Sequence, residues 1–192
     1  MRKYVLALAL TVVLVGLMTP DMGLSVSASS GTGSDSTSTS STYNLDKSSS
    51  LQESVTLADG EISKDLTASG SGDNRISISS SANEKSAGAE IESSGNFQTF
   101  AFTGASGEGA GISQNTAMSG SYGGVTYHAD SPENKIVISS GFDGEGDLTA
   151  GISASAGEKA AMSGNLNSQG VEMLDSERLL ALASGDLAMS LD

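Results

Sequence analysis

Residues 152–163 read ISASAGEKAAMS. Ile152, Ala154 and Ala156 alternate with serines, Gly157 and Glu158 interrupt, and Ala160 and Met162 resume the alternation. Period two is the pattern of a strand with one apolar face. Glycine at the first position of a two-residue loop suits a type II′ hairpin, whose twist matches the flanking strands. The stretch predicts a β-hairpin, and most of the chain repeats its logic.

Ile78–Ala87, ISSSANEKSA, has the same shape with Asn83-Glu84 in the loop, and Asp59-Gly60 after VTLA is a third hairpin signal. Alternating runs begin at Val55, Ile76, Ala87, Val125, Ile136, Leu148, Ala160 and Val171, most of them about 11 residues after the one before. That spacing predicts an all-β protein of short strands, arranged as a meander, solenoid or sandwich. Pro132 lies in a turn, SPEN, where it does no harm to a strand. Ser176–Ser184, SERLLALAS, reads equally as a short helix capped by Ser176. The two hairpins match in 7 of 10 positions at an offset of 74; VTLAD at 55–59 resembles VTYHAD at 125–130, and Ala117-Met118-Ser119 returns as Ala188-Met189-Ser190. These collinear matches predict a degenerate tandem repeat over 55–122 and 125–192.

Residues 1–28 have the layout of a secretory signal: Arg2 and Lys3, an uncharged run from Val5 to Met18, then Val26-Ser27-Ala28 as small cleavage residues. The alternative is an uncleaved anchor. Removing 1–28 leaves 22 acids and 7 bases, a net of 22 − 7 = 15 negative charges, from a full chain of −14. Residues 29–52 open with a run in which 14 of 22 residues are Ser or Thr. Such a run buries little apolar area and reads as a flexible spacer. The expected organisation is therefore signal 1–28, spacer 29–52 and a β-rich domain over 53–192.

The composition argues against an enzyme. With no cysteine there is no disulfide, zinc cage or Cys nucleophile, and His128 is the one imidazole, read as a surface or strand-edge residue. The negative charge opposes binding to a nucleic-acid backbone, and no small-molecule substrate is indicated. The one constellation with ligand spacing is Asp143-Gly-Glu145-Gly-Asp147, read either as a solvated acidic turn or as a calcium site of three carboxylates. Leu148 and Ala154 stand where an EF-hand loop needs Gly and a bidentate Glu. Phe97, Phe100 and Phe102 form the densest apolar mass; Phe100 and Phe102 share a face opposite to Phe97, and the cluster is expected to make the central packing contact.

Leu, Ile, Val and Phe make up only 28 of the 164 residues after position 28. Serine (37) and glycine (24) replace them. Small side chains let sheets approach closely, so contacts between chains can supply what one core cannot. Proline and strand charges, the usual guards of open edges, are scarce. With its signal, its small acidic Ser/Gly/Ala-rich body and its degenerate hairpin repeats, the chain resembles the major sheath proteins of filamentous methanogenic archaea. That resemblance implies a secreted homopolymer building an extracellular, functional-amyloid sheath, with other cell-envelope components as possible partners. The alternatives are a surface-layer or adhesin β-sandwich module, or a pilus-like subunit donating the tail strand Gly185–Asp192.

Overall fold

The computed structural model describes residues 10–15, 22–30, 36–46, 48–58, 60–170, 180–183 and 187–191. Every regular element among them is a strand: β1 (Leu10–Val15), β2 (Met22–Ser30), β3 (Thr37–Leu45), β4 (Ser50–Ala58), β5 (Glu61–Ala82), β6 (Lys85–Ala105), β7 (Gly109–Asp130), β8 (Lys135–Gly157), β9 (Ala160–Gly170), β10 (Leu180–Ala183) and β11 (Leu187–Leu191). All belong to one sheet, built as an antiparallel meander from β4 to β9. The all-β expectation holds.

The strands are twice as long as the sequence spacing suggests: β5 to β8 run 21 to 23 residues each. β3 and β4 are two halves of another such strand. They pair with β5 in one unbroken register, Thr37↔Ala82 and Asn44↔Arg75, then Ser50↔Ser69 and Ala58↔Glu61. β1 and β2 repeat this division against β4 and β3, and β9 and β10 repeat it against β8.

Each long strand is bent back at its middle. Twelve residues of straight strand cover about 40 Å, yet Ser41 Oγ donates a 2.6 Å hydrogen bond to Glu53 Oε1. Lys64 Nζ donates to the Ser40 carbonyl at 2.8 Å, although residue 40 is laddered to Ser79, at the far end of the same strand. Ser80 and Thr103 hydroxyls meet at 2.8 Å across the same interior. The sheet is thus folded along a crease into two facing layers. The first contains 37–45, 73–93 and 123–142; the second contains 50–71, 96–119 and 147–165.

Glycine makes the crease. Gly72 is paired with Gly95, and Gly95 with Gly120. Gly72 has φ 98° and Gly95 φ 144°, in the region where a side chain is strained. A Cβ on Gly95 would lie 2.1 Å from the Ser119 carbonyl oxygen. Where β7 crosses the crease, Ser121 is an extra residue against β6: Gly95 pairs with Gly120 but Ser94 with Tyr122. Buried positions accordingly change from even (Ala110 to Met118) to odd (Gly123 to Ala129), as a bulge requires.

The alternation read from the sequence sorts every long strand into an inward and an outward set. Ile76, Ile78, Ile91, Val125, Tyr127, Ile136 and Ile138 fill the first layer's inner face, and Ile62, Leu66, Ile112, Leu148, Ile152 and Met162 the second's. Buried alanines between them, such as Ala101, Ala105, Ala150 and Ala154, keep the layers close. Leu24 and Val26 of β2 pack partly against this core.

Several expectations change. Residues 37–45, read as spacer, are β3, with Thr37, Thr39, Ser41 and Tyr43 buried. A Ser/Thr strand is held here because its neighbours supply the ladder and its hydroxyls pair, as in Ser40 with Ser79 at 2.8 Å. The loop of the 152–163 hairpin is Glu158–Lys159, with Gly157 the last residue of β8. Asn83, with φ 57°, turns β5 into β6 as expected. Leu180–Ala183 is a strand, not part of a helix; residues 171–179 lie outside the described set. Most of the expected signal does too, apart from β1 and β2. The two matched segments occupy the β5–β6 and β8–β9 hairpins, which close opposite layers.

Candidate functional site: two outer faces, two edges and a buried ion pair

The outward residues of the first layer carry charge. Arg75 Nε lies 3.0 Å from Glu92 Oε1 and Lys135 Nζ 3.0 Å from Asp130 Oδ2, both pairs partly exposed. Tyr122 donates a 3.3 Å hydrogen bond to Glu92; its phenol is pushed up by burial and then by the Glu92 carboxylate. His128 projects outward from β7, half-buried. Its imidazole is held below the usual range, first by desolvation and then by the Lys135 ammonium. This agrees with a surface histidine inside a strand.

The second layer presents a different surface. Strand pairing sets its outward residues in rows across β4 to β9. One row runs Ser54, Asp65, Phe102, Ser113, Ser153 and Ser163; the next runs Gln52, Thr67, Phe100, Asn115, Gly151 and Asn165. Over outward positions 50–56, 63–69, 98–104, 111–117, 149–155 and 161–165, Asp65 is the one charged residue. Phe100 and Phe102 are 48% and 42% exposed. The aromatic cluster is therefore not the central packing contact: Phe97 is buried, but its two companions fall on the outward phase of β6. Thr99, Ala101 and Thr103 take the inward positions instead.

Charge is hidden between the layers. Lys64 Nζ is 3.0 Å from Glu53 Oε1, with the side chains 0% and 1% exposed. Lys64 also bonds to Ser41 Oγ. Desolvation holds its amine below the ordinary range against the opposing pull of Glu53. Burying two ions is costly unless each is paired and hydrogen-bonded; Ser40 and Ser41 supply bonds to Lys64 Nζ and Glu53 Oε1, while Glu53 Oε2 has no hydrogen-bond partner. Beside the pair, burial pushes the Tyr43 phenol far up. A second inner polar group joins Thr99, Thr116 and Gln114, with Gln114 Nε2 2.7 Å from Thr116 Oγ1. Neither group was singled out from the sequence. The available signal was Glu53 and Lys64 standing on the apolar phase of two neighbouring strands.

Asp143, Glu145 and Asp147 lie exposed where β8 crosses the crease. Among the described residues no group of three or more potential metal ligands is brought together. No helix of the described residues is long and apolar enough to cross a membrane.

The two flanks of the sheet are edges. β3 and β4 bear β2 and β1 on their outer side, and β9 bears β11, added in parallel from Leu187↔Ala160 to Leu191↔Gly164. Comparison of the chain with protein-family models, with curated proteins and with solved structures gives no match.

Proposed function

We propose that this protein is a secreted structural subunit that assembles with copies of itself into a β-rich, amyloid-like extracellular sheath or envelope layer. The observation that carries the reading is the alignment of the crease. Each long strand passes through both layers, so a neighbour that pairs with a flank extends two ladders and one core at once. Loss of the expected 1–28 signal would strip β1 and most of β2 from the β3–β4 flank, baring unpaired backbone groups along 39–45 and 50–55, and such an edge is a template for another chain.

A pilus-like variant has its own support. β11, within the tail expected to act as donor, joins β9 as a short parallel strand, the less stable kind of pairing. Exchange of such a strand between copies is a low-cost route to assembly.

The test is assembly of the purified protein. Expected are concentration-dependent growth of thioflavin fluorescence, resistance to hot detergent, and fibre reflections near 4.7 and 10 Å. Salt shortens the lag, because the chain's formal charge of −14 opposes stacking and the screening length falls to about 10 Å at 0.1 M. A monomer with one sharp melt and no assembly at any concentration overturns the proposal.

A further inference from the structure

The outer face of the second layer is short of charge in a chain that is rich in it. With a net −14, any two copies approaching at random bring carboxylates together. Over its central rows they bring serines, threonines, amides and glycines, with Asp65 as the lone acid there and Glu61 and Asp147 at the two ends of the face. Two half-exposed phenylalanines stand on it, where solvent gives them no favourable contact. Phe102 borders a shallow depression shared with Gly104, Gly111 and Ser155 and also lined by Glu61, Glu108, Glu158 and Lys159, and its ring leans over Gly104.

We propose that this face is a self-association surface, on which two copies pack back to back about a two-fold axis running along the strands between β6 and β7. An isologous contact must be self-complementary, and strand pairing makes this one so. Phe102 is laddered to Ser113 and Phe100 to Asn115, so the axis sets each ring over the small or amide residue of the other copy. Gly104, paired with Gly111, meets Gly111 and leaves room for the rings. Asp65 stands over Ser153, one strand out on each side, and so meets a hydroxyl instead of a second carboxylate. Six strands at about 4.8 Å and seven residues at about 3.3 Å give a footprint of roughly 650 Å². Stable interfaces bury roughly 600–1,000 Å² per partner, so the face lies at the lower end of that range. The first layer is less suited to this contact, because its outer face carries the Arg75–Glu92 and Lys135–Asp130 pairs, whose ions a close face-to-face packing would desolvate.

This contact joins sheets face to face and does not depend on growth at the edges, so it is read separately. Sedimentation velocity of the full chain at low and high concentration is expected to show a monomer–dimer equilibrium. Phe100→Lys/Phe102→Lys and, alone, Ser113→Lys weaken it by about tenfold or more, with unchanged melting because the positions are exposed. Ser79→Lys, on the first layer's outer face, leaves it intact. If fibres form, the double-lysine variant yields fibres one folded sheet thick where the parent's are two. A parent that sediments as a monomer and forms single-sheet fibres overturns the proposal, as does a double-lysine variant that pairs like the parent, or a Ser79→Lys variant as impaired as Ser113→Lys.

Discussion

The two layers solve the problem of charge in opposite ways. Among the described residues, the first keeps only uncharged side chains inside, isoleucine, valine and tyrosine beside Thr39, Asn74 and Ser80, and sets its ions outside, as Arg75–Glu92 and Lys135–Asp130. The second holds the ammonium of Lys64 and the carboxylate of Glu53 inside and shows solvent a face of hydroxyls, amides and two phenyl rings. Both are halves of the same strands, so sequence propensity alone cannot separate them. The difference lies in which phase of the alternation the charged residues occupy. Position on the pleat, more than composition, decides whether a charge serves solubility or internal register.

The comparison breaks most severely at the internal pair. Lys64→Met is expected to cost about 3–5 kcal/mol, because it strands the Glu53 carboxylate in the interior. Lys64→Met/Glu53→Leu should recover most of that loss, and equal melting of the single and double variants would mean the pair is not buried. The next largest effect belongs to the first layer's core. Ile138→Ala removes a fully buried side chain and should cost about 2–4 kcal/mol, measured by urea denaturation. Arg75→Gln, which removes the exposed pair, should cost less than about 1 kcal/mol. A loss as large as that of Lys64→Met would erase the contrast between inner and outer ions.

The smallest effect is a pH response. His128 has a lowered folded value, so the unfolded chain takes up the proton first as pH falls through about 6.5. Stability should therefore decline slightly on the acid side of that value and be level above it. His128→Gln should flatten this segment, and an unchanged slope would assign it to the carboxylates.

Much of the fold was legible in the chain, although the contrast between its layers was not. Period two gave the strands, and the Asn83 and Pro132 turns fell where they were read. The strand length was not legible, because the alternation passes through the crease with its phase intact in β5 and β6. The interval of about 11 residues is therefore half a strand, one layer's share. Gly72 and Gly95 bend strands that continue, and nothing beside them in the sequence tells such a bend from a turn. The serines of 37–45 read as spacer because hydroxyl-to-hydroxyl pairing across strands has no local signature. Phe100 and Phe102 were read as core from their size alone, although the phase set by Phe97 already turned them outward. The Asp143, Glu145 and Asp147 reading followed spacing along a loop, whereas these residues belong to a long strand at its bend.

The crease also gives the molecule a mechanical grain. A pull across the strands is shared by two hydrogen-bonded ladders acting in parallel, and both must break before neighbouring strands separate. A pull along the strands meets the bend first, where only apolar contact between the layers and a few inner polar bonds oppose straightening. Because the glycines of neighbouring strands are aligned, that straightening is a single hinge motion along the whole line. A wall built from such units would resist stretching in one direction and yield in the other, lengthening before any ladder is broken.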